Sequence, residues 1–82
     1  MKLARVTGSV HATVKDAALT GAKLLVCEVV AGGDQIVAAD TVGAGAGDTV
    51  LIVTGSAARM PGATAGAPCD AAVVAIVDSV DG

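Results

Sequence analysis

Hydrophobic positions in this chain fall in short runs, each closed by glycine, aspartate or proline. Leu3 to Val14 reads as a first extended stretch, with Leu3, Arg5 and Thr7 on one face and Ala4 and Val6 on the other. Gly8 interrupts it and marks a bend or bulge, because a residue without a side chain weakens a strand interior. Asp16 to Gly21 is a connection with one helical turn, and Lys23 to Val30 is a second strand. Ala31-Gly32-Gly33-Asp34 is a hairpin-type turn leading into a third strand, Gln35 to Asp40. Gly43 to Asp48 is a loop and Thr49 to Thr54 a fourth strand. Ser56 is placed to cap a short helix over Ala57, Ala58, Arg59 and Met60, its hydroxyl accepting an otherwise unpaired backbone N–H. Pro61 and Gly62 end that helix, and Pro61 to Pro68 reads as a mobile surface loop. Ala71 to Asp78 is the fifth strand, followed by a tail from Ser79 to Gly82.

Five short strands with one short helix between the fourth and fifth predict an all-β fold, a five-stranded OB-like barrel. The runs Leu24 to Val26, Val50 to Val53 and Val73 to Val77 are apolar on both faces. A sheet wetted on one side would alternate instead. One face lines the barrel, and the other needs a cover, for which a neighbouring subunit is the simplest candidate. No internal repeat and no boundary divides residues 1–82, so one domain is expected.

Composition sharpens this expectation. A chain of 82 residues buries only about 60% of the surface it exposes unfolded. This one has no Phe, Tyr or Trp, yet 54% of it is apolar. Small domains with modest cores gain burial from oligomerisation, so a self-associating chain is expected. The net charge of −3 argues against a nucleic-acid surface, which needs a basic patch to displace counterions. The cations Lys2, Arg5, Lys15, Lys23 and Arg59 are scattered. The apolar runs are far shorter than the roughly 18 residues of a membrane span. No apolar segment precedes Arg5, so no signal peptide is expected there. Reduced thiols in a cytoplasmic protein follow.

The chemistry-bearing residues point away from catalysis. Gly43-Ala-Gly45-Ala-Gly47 invites a phosphate-binding reading, but the dinucleotide fingerprint needs glycine at its sixth position and a following helix. Here that position is Asp48 and a strand follows, so a tight turn is the better reading. Cys27, Cys69 and His11 are too few and too dispersed for zinc, and neither a metal nor a cofactor is expected. Cys27 reads as a buried small hydrophobe, Cys69 as more exposed, and His11 as a structural or surface residue. Asp40, Asp48, Asp70 and Asp78 stand near strand ends, where aspartate more often caps turns than works as an acid or base. Arg59 is embedded in a small-residue helical turn and offers five directed donors. Its readings are a contact across a subunit boundary or a solvated side chain. Gly55, Ser56, Ala57 and Arg59, with Gly43, Gly45 and Gly47, are the candidate interface or pore residues.

Taken in order, several segments resemble the EutN/CcmL family of bacterial microcompartment vertex proteins. They are Ala4 to Lys15 (Ala-Arg-Val-Thr-Gly-Ser-Val-His-Ala-Thr-Val-Lys), Leu19 to Leu25, Val37 to Gly45, Gly47 to Leu51, Gly55-Ser-Ala-Ala-Arg59, and Pro68 to Asp78. The likeness covers nearly the whole chain. It implies a barrel subunit that assembles as a cyclic pentamer, with a narrow central pore, and closes the vertices of a polyhedral protein shell in the cytoplasm. It implies hexameric and trimeric shell proteins as neighbours, no nucleic acid or membrane partner, and no enzymatic activity. Where many relatives carry two serines before Ala-Arg, this chain has Ser56-Ala57. The rival reading is an OB-like module binding a small ligand or single-stranded nucleic acid. Such grooves use basic residues and aromatic platforms, and this chain is acidic and free of aromatics.

Overall fold

The computed structural model describes residues 1–82. Its apolar runs form five strands: β1 (Lys2–Val10), β2 (Leu24–Val29), β3 (Gln35–Asp40), β4 (Thr49–Thr54) and β5 (Ala71–Ile76). They close into a barrel in the order β1-β2-β3-β5-β4. Every neighbouring pair is antiparallel except β3 and β5, which run parallel through Ala39↔Ala72 and Asp40↔Val73. Parallel neighbours need a long crossover, and the chain supplies one that itself contains β4. The OB-like barrel expected from the sequence is therefore present.

The barrel interior is filled by Ala4, Val6, Leu25, Cys27, Ala38, Val50, Ile52, Ala71 and Val73, with Ala44 from a loop packed among them. Small and β-branched side chains suit so narrow a barrel, whose inward positions alternate with outward ones along each strand. The outer faces are unlike those of a solvated sheet. Leu24, Val26, Leu51, Val53 and Val74 are only half-buried, and Val37 and Ile76 are exposed.

The predicted turns hold with local adjustments. Register slips between Val6 and Gly8, as the glycine suggested, and again between Leu51 and Ile52. Gly32 and Gly33 both take positive φ in the β2–β3 hairpin, where a side chain would be strained. Asp16 accepts from the Ala18 N–H at 2.8 Å and so starts a 3-10 helix, Ala17–Leu19.

Five expectations need correction. The first strand stops at Val10, which pairs with Leu24, the first residue of β2. Beyond it Thr13 and Val14 have no strand to join, and Val14 is exposed. His11 thus stands just past the strand, on an exposed connection. The fifth strand ends at Ile76 for the same reason, since its partner β4 begins at Thr49 and the Val77 N–H takes the carbonyl of that residue. The segment between β4 and β5 holds not one helix but two 3-10 helices, Gly55–Arg59 and Gly62–Thr64. Thr54, not Ser56, is at the first helix's capping position, and no side chain caps it. Ser56 lies inside the helix because Gly55, with φ of 68°, makes the turn out of β4. Finally, Pro61 to Pro68 is no mobile loop. Thr64 is 2% exposed and Ala67 is buried, so the segment is pinned to the barrel.

Candidate functional site

The two groups of residues singled out in the sequence lie at opposite ends of one strand. The glycine loop enters β4 at Asp48, and the Gly55–Arg59 helix leaves it after Thr54. Six strand residues separate them, roughly 20 Å at about 3.3 Å per residue. The fold does not bring Gly43, Gly45 and Gly47 together with Gly55, Ser56, Ala57 and Arg59.

The glycine loop is built from its flanking carboxylates. Asp40, at the end of β3, accepts from the Val42 N–H at 3.1 Å through Oδ1 and from the Gly43 N–H at 2.9 Å through Oδ2. Asp48 accepts from the Gly45 N–H at 2.9 Å. The Gly47 N–H goes to the carbonyl of Val6, and the Thr41 hydroxyl and N–H both go to the carbonyl of Val73. Gly43 and Gly47 take φ of 82° and 92°, whereas Gly45 keeps a conformation open to any residue. The loop's donors are thus turned inward onto carboxylates and carbonyls. A phosphate cradle requires the opposite, N–H groups converging on empty space. The turn-capping use of Asp40 and Asp48 is what the structure contains.

Lys23 was absent from the sequence-based candidates. Its ammonium group donates to the carbonyl of Ala44 and lies 3.9 Å from Asp40 Oδ2. The Asp40 N–H returns to the Lys23 carbonyl at 2.8 Å. Asp-x-x-Gly, here Asp40 to Gly43, is a turn signature that flags the carboxylate. Nothing local flags Lys23, because its partner carbonyl is 21 positions away. Lys23 and Asp40 also line a cleft of about 250 Å³ with Leu19, Ala22, Ala63 and Ala67. The cleft holds no His or Cys, and nowhere do three or more His, Cys, Asp or Glu side chains gather as metal ligands would.

At the other end of β4, Arg59 Nη1 donates to the carbonyl of Cys69 at 3.2 Å. The guanidinium therefore links the Gly55–Arg59 helix to the chain entering β5, with further donors left for a partner. Thr64, also missed in the sequence, donates to the carbonyls of Ala58 and Pro61 at 2.6 and 3.2 Å. A threonine in an alanine- and glycine-rich segment has no pattern to distinguish an inward from an outward hydroxyl. Ala57 and Ser56 are exposed, and Ala58 between them and Arg59 is wholly buried.

Neither thiol is arranged for chemistry. Cys27 is buried in the barrel, and burial, reinforced by the charge of Asp40, pushes its thiol above the ordinary range. Raising the value suppresses the reactive thiolate. Cys69 is partly exposed and directs its sulfur at the Ala58 carbonyl, 3.8 Å away. His11 has no part in either site.

Residues 1–78 match the family model described as ethanolamine utilisation protein EutN/carboxysome. The chain is 49% identical to the carboxysome shell vertex protein CcmL of Thermosynechococcus vestitus, over 98% of this chain and 86% of that protein. Among solved structures it is similar to CcmL of Nostoc, with a TM-score of 0.91 and 46% identity over 98% of this chain and 92% of the other. It is also similar to GrpN, a pentameric microcompartment shell protein from Rhodospirillum rubrum. There the TM-score is 0.86 and the identity 41%, over 100% of this chain and 98% of the other.

Proposed function

The chain belongs to the EutN/CcmL family, and we propose that it assembles as a homopentamer that caps the vertices of a polyhedral bacterial microcompartment shell. The observation that carries this reading is the full-length match, in both sequence and fold, to pentameric shell proteins. The 41% identity and TM-score of 0.86 extend over all of this chain and 98% of the other, which supports a shared role and not only a shared fold class.

Physical features of the chain support the reading. The half-buried outer faces of β2, β4 and β5 offer apolar surface that a lone barrel leaves wet. A ring hides such surface by repeating one heterologous contact until the rotation closes. Gly43, Gly45 and Gly47 at one end of β4, and Gly55, Ser56, Ala57 and Arg59 at the other, are the residues we assign to subunit contacts or the ring axis. Their separation suits a heterologous interface, in which two different patches of one subunit meet its two neighbours. A pentamer carries a formal charge of −15, five times the −3 of one chain, which keeps the free ring soluble.

The role is structural, without catalysis. Residues 1–82 act as one shell domain, located in the shell within the cytoplasm, with hexameric and trimeric shell proteins as its neighbours. Light scattering on the purified chain tests the ring: a pentamer supports the reading, and a stable monomer at micromolar concentration overturns it.

A further inference from the structure

We infer that Lys23 and Asp40 are positioning residues for assembly, a clasp that holds the 41–48 loop in the shape in which it meets a neighbouring subunit. The inference rests on the vertex reading and deepens it, because it names what fixes one of the proposed contact loops. Three observations carry it. Asp40 is nearly enclosed, with 4% of its side chain exposed, and its two carboxylate oxygens take the first two free N–H groups of the loop. Lys23, which reaches the same carboxylate, holds the loop's next turn by the carbonyl of Ala44. Ala44 is wholly buried in the barrel core, so the clasp fixes the point at which the loop plugs into the hydrophobic interior.

The clasp is not needed to build the barrel. Lys23 precedes β2 and its side chain is 51% exposed. The 3.9 Å separation from Asp40 is long for an ion pair, and a half-exposed pair of this kind adds little to stability. What Lys23 adds is directional: a charge-assisted donor on a carbonyl that no strand partner reaches. Gly43 and Gly47, flanking Ala44 in the left-handed region, would otherwise leave the loop several accessible shapes. Ordering the loop before association removes an entropic cost from each of the contacts in a ring. The same lysine lines the cleft between the Ala17–Leu19 helix and residues 63–67.

The test compares the full-length wild type with Lys23→Met, Lys23→Arg and Lys15→Met. Lys15 bonds only the carbonyl of Ala12 in an exposed connection, so its loss controls for the removed charge. Amide hydrogen exchange is read for residues 42–47 and for the core of β2 and β4, and the oligomer's dissociation is followed by light scattering on dilution. Loss of one charge-assisted hydrogen bond is expected to speed loop exchange about tenfold. The core amides are unchanged, and half-dissociation moves to a higher protein concentration. Lys23→Arg and Lys15→Met behave as wild type. Loop exchange that does not change in Lys23→Met overturns the clasp, and a loosened loop with wild-type dissociation overturns its role in assembly. A wild type that is monomeric overturns the vertex reading itself, an outcome seen before any substitution is made.

Discussion

The hydroxyl of Thr64 donates to the carbonyl oxygen of Ala58 at 2.6 Å, joining two consecutive 3-10 helices through a side chain that is 2% exposed. Ala58 is itself wholly buried, so this bond holds the second 3-10 helix against the buried turn of the first. Thr64→Val keeps the shape and removes the hydroxyl donor, leaving the Ala58 carbonyl only the weak Cys69 thiol, while the Pro61 carbonyl keeps the Thr64 N–H. The expected loss is about 1–3 kcal/mol of folding free energy, read from urea unfolding at fixed protein concentration. An unchanged midpoint would show that Thr64 merely fills space.

Arg59→Ala is expected to weaken the ring while leaving the barrel folded. Within the chain the guanidinium makes a single exposed bond, to the carbonyl of Cys69. Exposed bonds of this kind contribute little, so circular dichroism should match wild type. Dissociation on dilution should shift to higher concentration, because the remaining donors serve the neighbour. Equal dissociation curves for the two proteins would remove Arg59 from the interface.

The three loop glycines are expected to behave differently. Gly43→Ala and Gly47→Ala force a side chain into positive φ and lose about 1–2 kcal/mol each. Gly45→Ala faces open space in the chain at an ordinary φ, so folding stability should change by less than about 0.5 kcal/mol. Chemical denaturation of the three variants checks this. Equal losses at all three positions would refute the assignment of strain to Gly43 and Gly47.

The two thiols should separate by reagent. Cys69 is partly exposed and Cys27 buried, so a thiol reagent at neutral pH should label one cysteine in the folded protein and both after unfolding. The pH dependence has a definite sign. Burial, then Asp40, raises the Cys27 thiol in the folded state. The unfolded thiol therefore ionises first, and the folded state holds more protons. Stability from this group is complete below the unfolded value, about 8.5. It declines as pH rises above that value toward the folded one. Cys27→Ser is not a clean control because it buries a hydroxyl. Cys27→Ala should flatten the alkaline decline, and an unaltered slope would exclude the thiol as its source.

Much of the architecture was legible because local and global signals agree. Val50 to Val53 and Leu24 to Val26 read as two-faced strands, and the structure places them in a barrel with half-covered outer faces. Gly32-Gly33 announced the hairpin, and Gly8 announced the bulge. What escaped depends on partners distant in sequence. Val14 has the β propensity of a strand residue, but β2 offers it nothing to pair with, and such partnering is invisible from Val14 alone. Ser56 has the right chemistry for a cap, yet Gly55 turns the chain so that the helix starts two residues early. Thr64 and Lys23 look like an ordinary threonine and an ordinary surface cation until folding delivers the carbonyls of Ala58 and Ala44 to them.

The mass of the assembly bears most directly on the vertex role. Native mass spectrometry or multi-angle light scattering of the untagged chain at micromolar concentration should give about five times the 7.7 kDa protomer, because a heterologous contact that closes a ring fixes the copy number. A species that holds at one protomer mass across that range, or an open ladder of sizes, would contradict it.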